Sequence, residues 1–498
     1  MHEKNIKRII RKQVKKSHPN WKRISKKEKK KILKEITEAV LTDYNYDEEV
    51  VVPLEELIGI NGQQPNEDIM TLNEMADFID GFYNKDVARI GKKYNSRPAI
   101  ANEELKFIND LIDDNIINVL LSYKGYTPSM RLLYPSQFFR AELLKAIKYP
   151  EISYRKFCDE EYMGLERKEN RRFLGLPLNQ KNIIDHTQLS KFRTSLSFSQ
   201  LVNVLVYVLH YFYKSGLLEN CVIHGIDSTE IANDNMRPLY TVKVGKKKVR
   251  IYEDIDCDCG KRRTKRDKSI YVIGYRMHTL TAINPSTGHN FPLISVLAPA
   301  NHHDSLYLKP LIKLAQAIGI EVQLITADEA YHDKDGTVLN ETGVHIITPV
   351  PSNVSVPENV DPDTLAVTCH NYCEIAMQRV GLTEEGHEYK CNACAGVCPF
   401  AANCSQFRII PFDNGHFQRM PMESKLAEEA VSIRKNSERP FNLLKKREGL
   451  EDARVRSQHA LVVRSVFTMI TTLLIEISGT RRKNKPAVQE DNKRDKAA

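Results

Sequence analysis

The sequence predicts an α/β core, preceded by a mainly helical region and interrupted late in the chain by a cysteine-rich insertion. Two apolar runs, at 222–227 and 322–328, have the residue types of short buried strands, and each ends in an aspartate. Between 73 and 215, apolar residues instead recur at helical spacing. Six of the ten cysteines fall within Cys369–Cys404, which marks this stretch as a separate segment.

Length and composition indicate a folded protein of several domains. The chain has 498 residues, and its 41% apolar content is ordinary for a globular protein. The N-terminus is basic and shows no apolar stretch followed by a cleavage site, so we expect no secretory signal. The best candidate for a transmembrane helix, Leu201–Tyr213, is short and contains Asn203 and His210. We therefore expect a cytoplasmic protein that does not bind a membrane.

The positive charge is concentrated at one end of the chain. The net charge is +9, yet residues 1–40 alone carry fifteen Lys or Arg against four Glu. A solvated helix is one interpretation of this run, and an arm that contacts nucleic-acid phosphates is the other. Further basic segments favour the second interpretation, with DNA as the partner; they are Lys243–Arg250, Lys261–Lys268 and Arg434–Arg447.

The pattern along the chain predicts six parts. They are a basic arm and connector at 1–72, a helical DNA-binding domain at 73–215, the first part of the core at 216–350, the cysteine-rich insertion at 351–425, the C-terminal helices of the core at 426–480 and a disordered charged tail at 481–498. In the helical part, NIIDHTQLSKFR at 182–193 has a helix N-cap signal with Leu189 and Phe192 on one face. It is either an ordinary helix start or the recognition half of a helix-turn-helix-like module.

The order of elements in the α/β part predicts its topology. The predicted strands are 221–227, 270–283, 291–298, 321–327 and 344–350, and the predicted helix is Ser305–Ile318. Three strands, a helix and further strands, with acids at the ends of the first and fourth strands, are typical of an RNase H-like α/β catalytic core. The lysine-rich stretch Arg237–Lys268 between the first two strands is expected to form a long hairpin or loop.

Three acids from separate elements are candidates for a metal site. Asp227 and Asp328 follow predicted strands, and Glu438 lies in the basic helical segment RKNSERPFNLLKK. Mg²⁺ or Mn²⁺ prefers oxygen ligands and needs only a few carboxylates beside substrate phosphates. Each acid also has a structural interpretation, as a turn residue, an N-cap or a solvated helix residue. The nearest substitutes are Glu230, Glu329, Glu428 and Glu429.

The spacing around Glu438 resembles a known signature. Arg434 precedes Glu438 with three residues between them, and Lys445 follows with six between. This pattern, together with GIDSTEI, ITADEAYHD and HTQLSKFR upstream, resembles the DDE-type transposases of bacterial insertion sequences, over roughly residues 120–478. In that family a Tyr often stands three residues before the Arg, and here that position is Val431. The absence of this Tyr affects a secondary role, such as orienting the DNA that flanks the cut, and removes none of the proposed metal ligands.

The resemblance implies a function and roles for these residues. A transposase of this kind binds the terminal inverted repeats of its element as a homodimer, cleaves the strands and joins them to target DNA, working at the bacterial nucleoid. Asp227 would bridge two Mg²⁺ ions, Asp328 would hold one and Glu438 the other, while Arg434 and Lys445 would contact DNA phosphates. Pro440 interrupts the helix on which these three residues would share a face. The alternatives are a catalytically silent DNA-binding regulator and a nuclease without strand transfer.

The cysteine-rich insertion is the second strong signal. Cysteines at closely spaced positions offer more than the four thiolates of a structural zinc site; the candidates are Cys373, Cys391, Cys394, Cys398 and Cys404. Zinc would tie together a segment without a core of its own. An iron–sulfur cluster and unligated thiols are the other possibilities.

Two histidine-bearing stretches are assigned structural roles. His278, in a predicted strand, is more typical of a core residue than of a ligand. In the His302–His303–Asp304 cluster, Asp304 is expected to cap the helix that begins at Ser305.

Overall fold

A computed structural model of the chain describes most of the helical region and the α/β core. The described residues are 69–84, 100–122, 133–181, 183–219, 221–232, 238–244, 247–252, 254, 257–263, 269–284, 289–333, 336–350, 354–362, 364–369, 375–391, 406–413, 416–420, 424–442, 444–445, 450 and 457–483. The predicted basic arm, apart from its last four residues, and the predicted tail beyond 483 lie outside these ranges.

The N-terminal region is helical, as predicted. Its helices are α1 (Leu72–Asn84), α2 (Glu103–Leu111), α3 (Asp114–Leu120), α4 (Pro135–Lys148), α5 (Tyr154–Phe157), α6 (Glu160–Met163), α7 (Lys168–Leu174), α8 (His186–Ser195) and α9 (Phe198–Lys214). The predicted N-cap of α8 is present, because the Asp185 carboxylate accepts a hydrogen bond from the Thr187 N–H at 2.8 Å. Leu189 and Phe192 are both buried, as expected. Helix α9 is buried along nearly its whole length, which makes it a core helix.

Helix α8 does not occupy the second position of a helix-turn-helix. Eleven residues, 175–185, separate it from α7, whereas such motifs use a turn of about three to four residues. Helices α8 and α9 are joined by a short turn and cross at 96°, but the second helix of this pair is the buried α9. The spacing therefore differs from that of a standard helix-turn-helix, while α8 exposes a polar face, and DNA recognition by 182–193 stays a prediction.

The α/β part contains a six-stranded mixed sheet and a two-stranded hairpin. The strands are β1 (Ile223–Ala232), β2 (Pro238–Val244), β3 (Lys247–Tyr252), β4 (Asp258–Arg263), β5 (Ser269–Ile283), β6 (Asn290–Pro299), β7 (Leu324–Ala327) and β8 (His345–Ile347). The sheet order is β4-β5-β1-β7-β8, with β6 continuing along the same edge of β5 as β4. Strands β2 and β3 form the hairpin expected between the first two core strands.

Strand directions agree with the predicted RNase H-like order. The long strand β5 pairs antiparallel with β1 on one side and with β6 on the other. Strand β7 then pairs parallel with β1, and β8 pairs parallel with β7. The crossover from β6 to β7 contains α10 (Ser305–Ala317), and α11 (Thr337–Thr342) precedes β8. Every predicted core strand is present, with the fourth and fifth shorter than expected.

The C-terminal helices attach to both regions. After the insertion come α12 (Lys425–Ile433), a 3₁₀ helix (Arg434–Glu438), α13 (Arg439–Asn442) and α14 (Gln458–Lys483). Helix α14 packs against α9, α4 and α2 of the helical region and against β6 of the sheet. One hydrophobic core therefore runs from the helical region into the sheet.

Helix α14 contains the one candidate membrane-spanning helix among the described residues, apart from the bent pair α8 and α9. Its segment Gln458–Gly479 is long and apolar enough to cross a membrane by length and composition alone, which the sequence analysis overlooked. In the structure 89% of its most apolar stretch is buried inside the protein. This is how the core helix of a folded domain behaves.

The insertion forms a separate small sheet. Its strands β9 (Met377–Leu382), β10 (Gly386–Cys391) and β11 (Phe407–Pro411) pair antiparallel in the order β11-β10-β9. A second hydrophobic cluster supports it, with Val367, Tyr389, Ile410 and Phe417 among its buried members. The expectation that this segment lacks a core of its own is therefore wrong. Short strands on both sides of β10 bury enough apolar surface to build one.

Candidate active site

The two aspartates lie side by side on neighbouring strands. The parallel pairing of β1 with β7 ends at the pair Ile226 and Ala327, and the next residues are Asp227 and Asp328. Asp328 follows the end of β7, as predicted. Asp227 was also predicted at a strand end, and this is wrong: β1 continues to Ala232 because its antiparallel partner β5 continues beside it. Only the parallel neighbour stops, which leaves Asp227 at the edge of that pairing.

Helix α12 covers the same face of the sheet as Asp227. Successive strand residues alternate between faces, so Asp227 shares its face with Ile223, four residues earlier. Ile223 packs in a cluster with Leu324 and with Ala427 and Ala430 of α12. The chain leaving α12 is therefore delivered to the side of the sheet where the aspartates lie.

The third acid is carried by the 3₁₀ helix that follows α12. This helix contacts β1 and β5, and it presents Arg434 at one end and the exposed Glu438 at the other. The helical stretch that carries Arg434 and Glu438 changes type before Pro440, as the proline led us to expect: Pro440 lacks an N–H and sits in the first turn of α13. Lys445 is half-buried beyond α13. Arg434 forms an ion pair with Asp328, with 3.7 Å between Nη1 and Oδ1.

The charge of Asp227 responds to the other two acids. Burial is the main cause that raises the pKa of Asp227 to about 7, and the negative charges of Glu438 and Asp328 contribute to the same rise. The Ser228 N–H, which donates to the Asp227 carboxylate at 2.7 Å, and the Arg434 guanidinium act in the opposite direction. The structure thus brings the three acids and Arg434 into one electrostatic neighbourhood.

The chemistry of this neighbourhood suits a divalent cation. Carboxylate oxygens are hard donors, and like charges held near one another favour a bound cation that compensates them. In the part of the chain that the structure describes, no three His, Cys, Asp or Glu side chains come close enough together to form a single metal-binding cluster. The arrangement fits pairs of carboxylates better than a three-ligand cage.

Comparison with protein families identifies the α/β part. Residues 240–474 match the family model described as "Transposase DDE domain". The chain carries a DDE-type transposase domain. The match includes Asp328 and Glu438, whereas Asp227 precedes its first residue. No curated protein matches the chain at a significant level.

The DDE domain accounts for the coarse expectations of the sequence. It implies an RNase H-like α/β core, transposase-type chemistry and DNA as the partner. The mixed sheet observed here has the matching strand order. The resemblance to DDE-type transposases is therefore confirmed.

Beside the acids, the DDE domain holds a polar network that sequence reasoning missed. Asp304 was expected to cap α10, but its side chain makes no capping hydrogen bond. Its carboxylate is instead ion-paired with Arg276 of β5 and accepts a hydrogen bond from the Ser228 hydroxyl at 3.3 Å. Arg276 also contacts Glu230, directly opposite it on β1, at 3.4 Å. The sequence could not show this network, because Arg276 lies beside Glu230 only when β5 pairs with β1 in the observed register.

The cysteine prediction falls mostly outside the described residues of the DDE domain. Cys373, Cys394, Cys398 and Cys404 are not among them. Cys391 ends β10 and is buried in the small cluster of the insertion, as is Cys369. Zinc binding by this segment stays a prediction.

Proposed function

We propose that this protein is the transposase of a bacterial insertion sequence. In this proposal it binds the terminal inverted repeats of its element as a homodimer, cleaves DNA strands and joins them to a target. The observation that carries the proposal is the placement of Asp227 and Asp328 at the end of one parallel strand pair, with Glu438 close enough to affect the ionisation of Asp227. The membership of 240–474 in the DDE family supports it.

The acids have distinct roles in this proposal. Asp227, whose ionisation is affected by both other acids, would contribute to holding two cations, one together with Asp328 and the other together with Glu438. Two divalent cations bound there would activate the attacking hydroxyl and stabilise charge on the leaving oxygen. Because each ion needs only two carboxylates beside phosphates and water, a cluster of three ligands is not required.

In this proposal Arg434 pairs with Asp328 in the absence of DNA and with a DNA phosphate when DNA is bound. In this structure its guanidinium lies beside Asp328 and lowers the pKa of Asp227. A DNA phosphate at the site offers a better-matched anion, because guanidinium groups bind phosphate oxygens in a forked geometry. We infer that Arg434 moves from Asp328 to a phosphate near the cut, and that Lys445 contacts the backbone farther along.

Helix α8 supplies a candidate DNA-contacting face. Its exposed residues Thr187, Ser190, Lys191 and Thr194 follow the spacing of one helix side, while Leu189 and Phe192 anchor the opposite side. Hydroxyl and lysine side chains of this kind bind phosphate oxygens. Together with the basic arm, this face would hold the DNA ends.

The test is strand cleavage by the whole chain on a duplex that carries the terminal sequences of its element. Asp227→Asn, Asp328→Asn and Glu438→Gln should each lower the rate with Mg²⁺ or Mn²⁺ by about 10²-fold or more, since metal stabilisation is worth several kcal/mol. All three should still shift the duplex in a gel.

Two matched controls use neighbouring acids. Glu329→Gln lies next to Asp328, and Glu429→Gln lies on the exposed side of α12. Both should cleave at the unchanged rate. Loss of cleavage in either control, or its persistence in Asp227→Asn, would overturn the assignment of the acids. A cleaved but never joined product would identify a nuclease, and binding without cleavage by the unchanged chain would identify a silent regulator.

A further inference from the structure

A buried tyrosine hydroxyl lies between the two elements that carry the aspartates. Tyr331 ends the short 3₁₀ turn Glu329–Tyr331 that follows Asp328, and its N–H donates to the Asp328 carbonyl oxygen at 2.9 Å. Its side chain is fully buried. The Tyr331 hydroxyl interacts with the side chain of Ser228, the residue directly after Asp227. Tyr331 thus joins the two aspartate-bearing elements: its backbone is bonded to Asp328, and its hydroxyl reaches the residue after Asp227.

Strand β5 provides the other support for this hydroxyl. His278 lies directly opposite Ser228 in the β1–β5 register, and its Nδ1 is 2.7 Å from the Tyr331 hydroxyl. The imidazole is fully buried and stacks on the ring of Tyr307 at 4.5 Å between centroids. The position of the imidazole is therefore fixed by packing as well as by its hydrogen bond.

The hydrogen bonds around Tyr331 form a chain with one consistent direction. Burial lowers the pKa of His278 well below its usual range, so the imidazole is neutral and carries one proton. With that proton on Nδ1, His278 donates to Tyr331, and Ser228 donates to Asp304. The hydrogen of the Tyr331 hydroxyl is then left for the Ser228 oxygen. Each donor is used once, and the chain ends on a carboxylate that Arg276 neutralises. The His278 Nε2 atom has no hydrogen-bond partner among the described residues. In this tautomer Nε2 carries no proton, so no N–H donor is left unsatisfied there.

We propose that Tyr331 is a positioning residue of the DDE domain: its hydroxyl fixes the turn bearing Asp328 against the strand bearing Asp227, and so sets the separation of the two carboxylates. The inference rests on the proposed function, because it assumes that these aspartates bind the divalent cations. Neither the Tyr331 hydroxyl nor the His278 ring needs to touch the metal or the DNA. Groups that orient ligands in this way typically change metal affinity by about 10–100-fold when they are removed.

The test compares Mn²⁺ binding by the full chain and two single-atom variants, measured by electron paramagnetic resonance with and without duplex DNA. Tyr331→Phe removes only the hydroxyl, and we expect about tenfold or greater weakening of Mn²⁺ binding. Tyr307→Phe is the matched control. Its side chain is also buried, and its hydroxyl bonds to His302 Nδ1 at 2.6 Å, outside the two aspartate-bearing elements. We expect Mn²⁺ affinity unchanged in Tyr307→Phe and a similar urea midpoint for both variants.

A third variant separates failure of this inference from failure of the proposed function. Asp227→Asn should abolish the Mn²⁺ binding that the unchanged chain shows. If Asp227→Asn abolishes Mn²⁺ binding while Tyr331→Phe binds Mn²⁺ normally, the positioning role of Tyr331 is wrong, and the assignment of the acids as metal ligands is retained. Equal weakening in Tyr331→Phe and Tyr307→Phe would also overturn the positioning role, since it would report a general loss of packing. If the unchanged chain binds no Mn²⁺, or if Asp227→Asn binds it normally, the two-metal function fails and the inference fails with it.

Discussion

At the scale of single residues, Asp227 is held in an environment that opposes its charge. Burial and two neighbouring acids raise its pKa to about 7, so near neutral pH it exists in both protonation states. A divalent cation must displace the proton before it binds the carboxylate. Metal binding to this group should therefore strengthen as the pH rises through 7.

The same shift predicts a cost in stability. An aspartate has a pKa of about 3.9 in an unfolded chain, so between that value and about 7 the folded state binds more protons. The contribution of Asp227 to stability is complete below the unfolded value and is lost as the pH rises through the folded value. Asn cannot ionise, so Asp227→Asn should unfold at a higher temperature than the unchanged protein at pH 8, without divalent metal.

Repeating the measurement at a lower pH tests whether the higher unfolding temperature of Asp227→Asn comes from the removal of a buried charge. At pH 5, which lies between the unfolded and folded pKa values, only part of this cost is present, so the gain from Asp227→Asn should be clearly smaller than at pH 8. The exposed Glu429→Gln should change the unfolding temperature little at either pH. An equal gain for Asp227→Asn at pH 5 and pH 8 would mean that charge burial is not its cause.

The residues of the site differ in how far the sequence could predict them. Asp227 and Asp328 were proposed because an apolar run stops at each of them. Glu438 was proposed only through its spacing from Arg434 and Lys445, since nothing local distinguishes it from Glu428 or Glu429. Tyr331 was not found at all. Its importance depends on the alignment of β1 with β5 and on the fold of the turn after Asp328, and neither is a local property of the chain.

At the scale of elements, hydrophobic pattern alone predicted the strands well, whereas the helical segment around Glu438 also required attention to Pro440. The strands of the core have apolar runs bounded by polar residues, so each was placed near its observed position. Near Pro440 the apolar spacing continues as if one helix ran on, but proline cannot donate a hydrogen bond to the preceding turn. The chain therefore forms a 3₁₀ helix up to Glu438 and restarts at Arg439. The 3₁₀ helix that carries Glu438 contacts β1.

The prediction of zinc in the insertion now depends on the spacing of its cysteines alone. Its three strands have a small hydrophobic core of their own, so the absence of a core is no longer an argument for zinc. We still expect zinc bound by cysteines among Cys373, Cys391, Cys394, Cys398 and Cys404 because their spacing suits thiolate ligation. The whole protein, purified without added metal, should contain about one zinc per chain by mass spectrometry of the metal.

A paired substitution separates a zinc site from buried thiols. Cys394→Ser and Cys398→Ser should each lower the zinc content, whereas Cys158→Ser, in the helical region, should leave it unchanged. Purified protein with no zinc would leave these cysteines as ordinary thiols. Iron in place of zinc would point to a cluster of iron and sulfur instead.

At the scale of the whole molecule, α14 joins the helical region to the sheet. Phe467 of this helix packs against Phe139 of α4 at 5.7 Å between ring centroids, and the Met469 sulfur accepts a hydrogen bond from Ser295 of β6 at 3.0 Å. A helix that fills one core from both sides makes the two regions fold together. The insertion has a separate core, so it has its own local stability.

This arrangement predicts which parts of the molecule open together in hydrogen exchange. Leu473 is fully buried in α14, and Leu473→Ala should cost about 2–5 kcal/mol. Because the core is shared, exchange should accelerate in α9 and in β6 alike, while β9–β11 should change little. Ile410→Ala, in the core of the insertion, is the matched control and should accelerate exchange in β9–β11 only. If Leu473→Ala changed exchange only within α14, the helical region and the sheet would be separate folding units that merely touch, and DNA held by α8 would have no rigid connection to the acids.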